Sequence, residues 1–298
     1  MTTSTNKNLT SKQIFEKSRL PRPEIELLLA YLLKKERPFI ISHSEIKLKT
    51  SIYKKYFSLE KLRLKNYPLA YLVGEKEFYG LNFKVNSKVL VPRPETELMV
   101  EAVLNTYINL KSSESRKILI DLGTGSGAII ITLMHELRQH FPGAYLKTEA
   151  RAVDISKNAL TVARFNARRH QLNSKINFFC GNLLTPLRLN RQKLLKSELI
   201  ITANLPYLTK KQIQRSPSIS REPCLALNGG INGLKYYQRL FKQIAALNLA
   251  SNSLHLFCEI DPKQATLIKQ LAKALLPNSR SIIKNDLARR RRLAIIKL

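Results

Sequence analysis

Cysteine and histidine are scarce in this sequence of 298 residues, which contains three Cys and five His. The three cysteines, Cys180, Cys224 and Cys258, are widely spaced and form no paired motif. This spacing argues against a disulfide framework and indicates a reducing, cytoplasmic location. Because no two His or Cys residues lie at the spacing of metal ligands, we predict that the protein binds no metal.

Long hydrophobic runs are also lacking. No apolar stretch approaches the roughly 18–20 residues that span a bilayer, so we predict no membrane segment. Residues 1–7 contain a Lys but no apolar stretch behind it, which argues against a secretory signal. Hydrophobic residues nevertheless make up 44% of the chain, which is enough for a sizeable core in one large or two modest domains.

Acidic residues are few: 21 Asp and Glu stand against 51 Lys and Arg, which gives a formal net charge of +30. Such an excess is typical of proteins that bind ribosomal RNA or an acidic protein. A Lys-rich composition spread over solvated surfaces would produce the same charge. The longest basic run, residues 289–292, precedes a strand-like stretch at 293–296, so we assign it to the flank of that strand. Weak association with RNA or ribosomes stays open as a prediction.

The first quarter of the chain has the pattern of a small helical domain. Apolar residues recur at helical spacing in residues 23–33 and again in 52–62, and no Gly occurs before Gly74. We therefore predict an all-helical domain over residues 1–75. The domain could serve packing alone; because a small-molecule enzyme needs no such attachment, the functional alternative is that it binds a macromolecular substrate.

The pattern then changes from helical to extended. Residues 78–85 alternate around a Gly between aromatic and apolar residues, which predicts a β-hairpin. We assign residues 76–92 to a hairpin linker and residues 93–298 to the catalytic domain.

A stiff turn opens the catalytic domain. Pro92 and Pro94 flank Arg93 and restrict the backbone to an extended path. Glu95 or Thr96 then begins a helix. A rigid Pro-Arg-Pro turn followed by acids is unusual for a plain linker, so we predict that Pro92, Arg93 and Thr96 belong to a binding site.

A strand at residues 117–120 runs into a Gly-rich turn, and an apolar helix follows from Ala128. Glycines in such a turn let a ligand approach the main chain closely. Gly123, Gly125 and Ala128 also match the dinucleotide pattern, so NAD is an alternative cofactor. Asp121 favours S-adenosylmethionine, because its carboxylate can face a cationic methionine moiety but would repel a pyrophosphate. The predicted cofactor-binding residues here are Asp121, Leu122, Gly123, Thr124, Gly125 and Gly127.

The next two strands also end in polar residues. Asp154 ends the second strand and can accept both ribose hydroxyls of an adenosine, while Asp154 or Ser156 can also cap the following helix. Asn182, with Leu183 beside it, follows the strand at residues 176–180 and is placed to meet the adenine amino group; an ordinary turn residue would have the same pattern. Strands that end in this way and alternate with helices predict a doubly wound α/β sheet with its site at the carboxyl edge.

A fourth strand, residues 199–201, leads to Asn204, Leu205, Pro206 and Tyr207. A polar Asn, a Pro and an aromatic residue make a poor core sequence, but they would present one amide and one ring beside a ligand. The alternative is an Asx turn that ends the strand. We predict that these four residues hold a planar nitrogen while a methyl group is transferred to it, and that Asn204 also contacts the cofactor.

The rest of the chain completes the sheet. Residues 212–224 are polar and contain two Pro, which predicts a loop or lid. A strand is expected at residues 254–260, and residues 281–284 and 293–297 are expected to close the sheet as an antiparallel hairpin.

Several motifs occur here in a characteristic order after a helical domain. They are EFYGL at 77–81, VPRPETE at 91–97, DLGTGSG at 121–127, AVD at 152–154 and NLPY at 204–207, with Glu222, Pro223, Gly229 and Gly230 in addition. Together they resemble the HemK/PrmC family, over nearly the whole chain and most firmly over residues 78–298. The resemblance implies a Rossmann-like class I methyltransferase fold with S-adenosylmethionine as the cofactor.

The resemblance also implies a substrate and a mechanism. The family methylates the side-chain amide nitrogen (N5) of the glutamine in the Gly-Gly-Gln motif of peptide chain release factors, and its N-terminal domain helps to hold the factor. The side-chain oxygen of Asn204 and the backbone carbonyl of Leu205 would accept the two N–H bonds of that amide. Tyr207 would pack on the amide plane.

The sequence departs from the family pattern at three positions. The family usually has Asn-Pro-Pro-Tyr, and here Leu205 replaces the first Pro. Because that position acts through its carbonyl, Leu can serve, and Pro206 still favours an extended conformation before it. An acid is common where Asn182 stands, and an Asp is common where Asn232 stands. We expect these changes to affect affinity rather than the reaction.

Other functions share part of the pattern. Asn-Leu-Pro-Tyr also occurs in ribosomal RNA adenine-N6 methyltransferases, and a charge of +30 suits them. Those enzymes carry their extra domain after the sheet, whereas the helical domain comes first here. A methyltransferase for the glutamine of a ribosomal protein is a second alternative, and the Pro-Glu-Thr-Glu segment favours release factors over it. A non-enzymatic assembly factor that binds S-adenosylmethionine is a third.

Overall fold

The computed structural model describes residues 9–43, 45–109, 116–189, 192, 194, 196–248 and 254–298. Residues 1–7, for which no secretory signal is predicted, lie outside this range. The chain forms two compact units, Met1–Gly74 and Glu75–Leu298. Every helix among the described residues is too short or too polar to cross a membrane.

The first unit is helical. Its helices are α1 Ser11–Lys17, α2 Arg22–Leu33, α3 Arg37–Ser42, α4 Thr50–Leu64 and α5 Leu69–Val73. A Pro in the first turn, where the missing N–H costs nothing, begins α2 and α3. Leu28, Leu29 and Ile40 are fully buried in its core together with Tyr56, whose hydroxyl is 2.8 Å from that of Ser18.

The second unit begins with the predicted hairpin, β1 Glu75–Phe78 and β2 Leu81–Lys84. The other strands are β3 Arg116–Leu122, β4 Thr148–Asp154, β5 Ile176–Cys180, β6 Ser197–Ala203, β7 Leu254–Glu259, β8 Arg280–Asn285 and β9 Arg291–Lys297. The helices are α6 Glu97–Asn109, α7 Ala128–His140, α8 Pro142–Lys147, α9 Lys157–Arg169, α10 Lys210–Gln214, α11 Lys235–Ala246 and α12 Ala265–Leu275.

Within the described ranges, the main sheet has seven strands in the order β5-β4-β3-β6-β7-β9-β8. Strands β3 to β7 pair in parallel, while β9 is antiparallel to both β7 and β8. The strand order reverses between β3 and β6, which is where open α/β sheets bind their ligands. The predicted Rossmann-like sheet with a terminal antiparallel hairpin is therefore confirmed.

The register of the central strands brings three loops together. Leu122 of β3 is paired with Val153 of β4 on one side and with Ala203 of β6 on the other. Because parallel strands in this register end at the same level, the residues that follow them emerge at one edge of the sheet. The Gly turn, Asp154 and Asn204 are neighbours for this reason.

The two faces of the sheet are buried in different hydrophobic clusters. Alternation along β3 turns Ile118 and Ile120 towards α11 and α12, and Leu119 towards α6 and α7. Tyr237 on α11 and Ile130 on α7 are completely buried on these two sides. With apolar cover on both faces, the central strands read as continuous apolar runs rather than as alternating ones.

The loop after β6 packs tightly on the Gly-rich stretch before α11. Leu208 N–H donates to the Leu227 carbonyl at 3.0 Å, and Gly229 N–H donates to the Leu208 carbonyl at 2.8 Å. A Cβ atom at Gly229 would lie 2.4 Å from the Pro206 carbonyl oxygen and 2.7 Å from that of Gly233. Main-chain atoms cannot move aside as a side chain can, so the backbone path beside the predicted catalytic residues requires Gly at position 229.

We expect Gly229→Ala to destabilise the protein by about 2–3 kcal/mol, because the added methyl overpacks backbone. Gly143→Ala is the matched control: no atom lies within 4 Å of a Cβ built there, and Gly143 lies in α8, where Ala is favoured by roughly 0.5–1 kcal/mol. Urea unfolding of both variants measures the difference. Equal midpoints for the two variants would contradict the packing argument.

Candidate active site

A cavity of about 1140 Å³, including its solvent-open mouth, lies at the carboxyl edge of the sheet. It lies where the strand order reverses, which is where open α/β sheets bind their ligands. One wall is formed by the ends of β4, β5 and β6 and the Gly turn, and the other by parts of residues 88–93 and 223–226. The sequence-predicted residues that line it are Pro92, Arg93, Thr96, Gly123, Thr124, Gly125, Asp154, Asn182, Leu183, Asn204, Leu205 and Pro206.

The Gly turn approaches the loop after β6 without a side chain between them. Gly123 has φ +72°, and a Cβ atom there would lie 3.3 Å from Leu205 Cδ2 and 3.6 Å from the Asn204 carbonyl oxygen. Gly125 also has a positive φ, +55°. Glycine tolerates these backbone angles, so the turn can bring its main chain close to a ligand and to Leu205 at once.

Asp154 lies at the end of β4 and is held by main-chain donors. Its Oδ2 accepts from Gly125 N–H at 2.9 Å and its Oδ1 from Ser156 N–H at 2.8 Å. Ser156 caps α9, since its hydroxyl accepts from Ala159 N–H. Burial raises the pKa of the Asp154 carboxyl, against the lowering effect of these N–H donors. The carboxylate is thus oriented in the cavity wall and can accept further hydrogen bonds from a diol.

Asp121 lies outside the cavity wall. It belongs to β3, which continues through Leu122, and it is completely buried. Thr124 Oγ1 donates to Asp121 Oδ2 at 2.7 Å, and Thr202 Oγ1 donates to Oδ1 at 2.8 Å. Burial raises the pKa of the Asp121 carboxyl to about 6. The structure thus places this carboxylate beneath the turn, where it accepts from both Thr hydroxyls, and its contact with a methionine moiety stays a prediction.

Leu122 and Gly127 also lie outside the cavity wall. Leu122 is a core residue on the face that α11 and α12 cover. Gly127 begins α7 with φ +82°, and a Cβ atom there would lie 2.7 Å from Ile131 Cδ1 and 3.3 Å from Ala163 Cβ. Gly127 thus allows the close packing of α7 on α9, and the contact of both residues with a cofactor stays a prediction.

Asn182 and Leu183 stand on a turn that α11 holds in place. Gln243 Oε1 accepts from Leu184 N–H at 2.9 Å, and Gln243 Nε2 donates to Thr185 Oγ1 at 3.1 Å. Leu183 adopts φ +54°, an uncommon angle for a branched side chain. The turn thereby brings an apolar side chain and an amide to the far end of the cavity.

The stiff Pro-Arg-Pro turn is tied to the segment across the cavity. Glu222 is buried; its Oε2 accepts from Val91 N–H at 2.9 Å, and its Oε1 accepts from the Arg93 guanidinium. The loop predicted for residues 212–224 is interrupted by the end of α10 and a short 3₁₀ turn, Ile219–Arg221. One buried carboxylate therefore connects the two segments that form the outer wall.

Asn204 is part of a hydrogen-bonded group around Glu259, at the end of β7. Asn204 Nδ2 donates to Glu259 Oε2 at 3.0 Å and to Thr96 Oγ1 at 3.3 Å. Thr96 Oγ1 donates to the same Oε2 at 2.6 Å, and the Tyr207 hydroxyl donates to Oε1 at 2.9 Å. Burial and the neighbouring Glu259 charge raise the pKa of Tyr207 well above its ordinary value.

A second cavity of about 730 Å³ adjoins the first. Asn204, Leu205 and Arg93 line both cavities. Tyr207 lines only the second, which also has ionisable residues in its wall: Glu95, Glu259, Asp261 and Arg292. The structure thus brings the four residues predicted to be catalytic to the boundary between two spaces.

Two residues of the site were missed by reasoning from the sequence. Glu259 has the same pattern as Asp121 and Asp154, a carboxylate at the end of an apolar strand, and that pattern could have found it. Glu222 occurs only among the motifs of the family resemblance. No local pattern indicates its partners, because Val91 and Arg93 lie 131 and 129 residues away in the sequence.

Known proteins are similar to this chain along most of its length. A family model described as PrmC N-terminal domain matches residues 10–74, and one described as methyltransferase domain matches residues 113–270. The release factor glutamine methyltransferase of Moorella thermoacetica is 38% identical over 86% of this chain and 83% of its own. The protein of the same name from Bacillus subtilis is 34% identical over 83% of this chain and 81% of its own. The chain belongs to the release factor glutamine methyltransferase family.

Solved structures of other proteins are similar to this chain in fold. The hMettl16 catalytic domain in complex with MAT2A 3′UTR hairpin 6 aligns with a TM-score of 0.55 at 16% identity, over 90% of this chain and 91% of its own. The N-terminal domain of human METTL16 in complex with SAH aligns with a TM-score of 0.50 at 16% identity, over 90% of this chain and 93% of its own. At such low identity the likeness concerns the fold alone.

The buried Asp121 makes a pH-dependent contribution to stability. Its folded-state pKa of about 6 exceeds the ordinary value of 3.8, so the folded state binds more protons than the unfolded state between these pH values. The free energy of unfolding therefore falls as pH rises from about 4 to about 6. Relative to Asp121→Asn, which cannot ionise, the wild type should lose up to about 3 kcal/mol over this range.

Urea unfolding of both proteins at pH 4 to 7 measures this loss. The difference between the two curves is the relevant quantity, because titrations that are independent of Asp121 cancel in it; the charge of Asp154 raises the pKa of Asp121 and therefore contributes to the difference. A difference that stays constant with pH would show that the Asp121 carboxyl titrates as an ordinary Asp.

Proposed function

We propose that this protein transfers the methyl group of S-adenosylmethionine to the side-chain amide nitrogen (N5) of the glutamine in the Gly-Gly-Gln motif of peptide chain release factors. The family supports the substrate: relatives 34–38% identical over most of the chain are named for release factor glutamine methylation. Within this proposal the catalytic residues are Asn204, Leu205, Pro206 and Tyr207.

One observation carries the proposal. The large cavity and the second cavity share five lining residues, and Asn204 and Leu205 are two of them. A donor in the first space and an acceptor in the second would therefore face each other across these two residues. Two-substrate transfer requires this arrangement, because holding two reactants in line lowers the barrier by converting a bimolecular step into an effectively unimolecular one.

The residues of the first cavity suit S-adenosylmethionine. Asp154 presents an oriented carboxylate to the ribose hydroxyls, and Asn182 and Leu183 flank the place for the adenine. Gly123 and Gly125 leave room that side chains would fill. Thr124, Pro92, Arg93 and Thr96 complete the wall. Asp121, Leu122 and Gly127 act indirectly, since they shape the turn without lining the cavity.

The chemistry of the acceptor sets the task of the second cavity. When bound, S-adenosylmethionine supplies a methyl group on a positively charged sulfur. An amide nitrogen is a poor nucleophile, because its lone pair is delocalised into the carbonyl group. Asn204 Oδ1 and the Leu205 carbonyl each accept one N–H of the amide, which directs the lone pair to the methyl carbon and stabilises the positive charge that grows on nitrogen. Transfer would form the nitrogen–carbon bond while the sulfur leaves as a neutral thioether, and the amide would release one proton to solvent.

The remaining parts of the chain are assigned to the macromolecular partner. The helical domain of residues 1–75 holds the release factor, and residues 76–92 link it to the catalytic domain at 93–298. The charge of +30 supports a weak additional association with RNA or ribosomes. Cys180, Cys224 and Cys258 are all free thiols, which supports a cytoplasmic location.

Methyl transfer from labelled S-adenosylmethionine tests the proposal directly. We expect label on a purified release factor, and none on the same factor with the Gly-Gly-Gln glutamine replaced by Ala. Asn204→Ala should lower kcat by about 100-fold or more, because one of two oriented acceptors is lost. The dissociation constant for S-adenosylmethionine, measured by calorimetry, should stay near the wild-type value.

Ribosomal RNA and ribosomal protein incubated in parallel separate the alternatives. Label on RNA alone would contradict the release factor assignment. Label on the ribosomal protein alone would identify a glutamine of that protein as the substrate. Cofactor binding without label on any of the three would identify a non-enzymatic binding protein. Near-normal turnover by Asn204→Ala would remove this residue from the mechanism.

The ribose contact is tested by Asp154→Ala. Hydrogen bonds to a charged group contribute roughly 1.5–3 kcal/mol, so the dissociation constant for S-adenosylmethionine should rise about 10-fold or more. Glu149→Gln, at the other end of the same strand, is the control and should bind as the wild type does. Unchanged affinity of Asp154→Ala would take this carboxylate out of the cofactor site.

A further inference from the structure

Glu259 is a buried carboxylate that the mechanism above does not use. It ends β7, is 3% exposed, and lines the second cavity next to Asn204 and Tyr207. A carboxylate is costly to bury unless its oxygens accept several hydrogen bonds. The hydrogen bonds that Glu259 accepts therefore decide how it can be buried beside the predicted acceptor site.

The hydrogen bonds around Glu259 fix the direction of each donor. An ionised carboxylate only accepts, so Thr96, Tyr207 and Asn204 must all donate to it. Once the Thr96 hydroxyl has given its only proton to Glu259, its oxygen can accept from Asn204 Nδ2 at 3.3 Å. The Glu259 carboxylate and the Thr96 oxygen both act as acceptors towards the Asn204 carboxamide. Its nitrogen, and not its oxygen, must therefore face them.

This requirement decides which end of the Asn204 amide faces the substrate. An amide that is rotated by 180° occupies nearly the same space, so packing alone discriminates weakly between the two orientations. With the nitrogen committed to Glu259 and Thr96, the oxygen is the end turned away from them. A rotated amide would offer an N–H donor to the N–H donors of the substrate, and no hydrogen bond would form.

We propose that Glu259, in its ionised form, is a positioning residue that fixes the Asn204 carboxamide with its oxygen towards the substrate amide and holds the Tyr207 ring in place through the tyrosine hydroxyl. This inference rests on the proposed function, because it assigns a direction to the same acceptor site. In this role Glu259 acts through Asn204 and Tyr207, which donate hydrogen bonds to it.

The role predicts a dependence on pH. A protonated Glu259 must donate from one oxygen, and that donation displaces one of the three donors that it now accepts. Burial raises the pKa of the Glu259 carboxyl, while hydrogen bonds from Thr96 and Tyr207 and the charge of Arg292 lower it. The net pKa lies above the ordinary 4.5, so kcat should fall as pH decreases through this raised value. Several other charged or titratable groups surround Glu259. They come from the turn before α6 (Arg93 and Glu95), the loops after β6 and β7 (Tyr207 and Asp261), α11 (Tyr237) and β9 (Arg292).

Two substitutions at Glu259 separate positioning from simple loss of structure. Glu259→Gln keeps the shape but allows both orientations of the Asn204 amide, because Gln offers an acceptor and a donor. Glu259→Met removes every acceptor. We expect kcat to fall about 10-fold in the first and about 100-fold in the second, the latter matching loss of an oriented group. The dissociation constant for S-adenosylmethionine and the KM for the release factor should change less than about threefold.

The pH profile of kcat is the readout that a structural role would not move. The acid limb of the wild type should disappear in Glu259→Gln, which has no carboxyl to protonate. Glu198→Gln is the control, because Glu198 lies near the start of β6, at the other end of the strand from Asn204. This variant should keep both the wild-type kcat and the acid limb. Wild-type kcat with an unchanged acid limb in Glu259→Gln would overturn the inference.

A second pair of variants decides the matter if both Glu259 variants fail to fold. Thr96→Ser keeps the hydroxyl that orients Asn204, and Thr96→Val removes it. The inference requires a lower kcat for Val than for Ser, and equal kcat values would refute it. The wild type, assayed alongside, separates the two proposals: no label on the release factor ends the proposed function, whereas label with wild-type kinetics in all variants ends only the role of Glu259.

Discussion

The site depends on carboxylates that are buried under the carboxyl edge of the sheet and must be hydrogen-bonded there. Asp121 accepts hydrogen bonds from the hydroxyls of Thr124 and Thr202, and Glu259 accepts hydrogen bonds from those of Thr96 and Tyr207. A buried charge without such partners would cost several kcal/mol. Each carboxylate therefore dictates the conformation of a neighbouring loop, and the loops in turn form the walls of the two cavities.

The two carboxylates act on opposite sides of β6. Asp121 reaches Thr202 within that strand, while Glu259 reaches Asn204 directly after it. The end of β6 is thus held from β3 and from β7 together. This double attachment explains how a short, irregular segment can have a defined geometry although it lies outside regular secondary structure.

Much of the fold could be predicted from the sequence. Parallel strands covered on both faces appear as short apolar runs, such as residues 199–201, and polar residues directly after them indicate one edge of the sheet. The residues predicted on the cavity wall, Asp154 and Asn204 among them, lie there because the register of β3, β4 and β6 is uniform. These features can be predicted from short stretches of sequence, because strand ends and turns are formed by residues that are close together in the chain.

The remainder depends on pairs that are distant in the sequence. Whether a carboxylate faces the cavity or the core depends on how far its strand continues: β3 runs one residue beyond the buried Asp121, whereas β4 ends at Asp154. The partners of Glu222 lie about 130 residues away, and Thr96 is 163 residues from Glu259. Such contacts follow from the assembled sheet and leave no periodic signal in the chain.

The close approach of Gly123 to Leu205 limits how this protein can vary. A methyl group at position 123 would lie 3.3 Å from Leu205 Cδ2, so any side chain there competes with Leu205 for the same volume. Gly123 also has φ +72°, an angle that glycine tolerates, so a single residue serves both the backbone turn and the contact with Leu205.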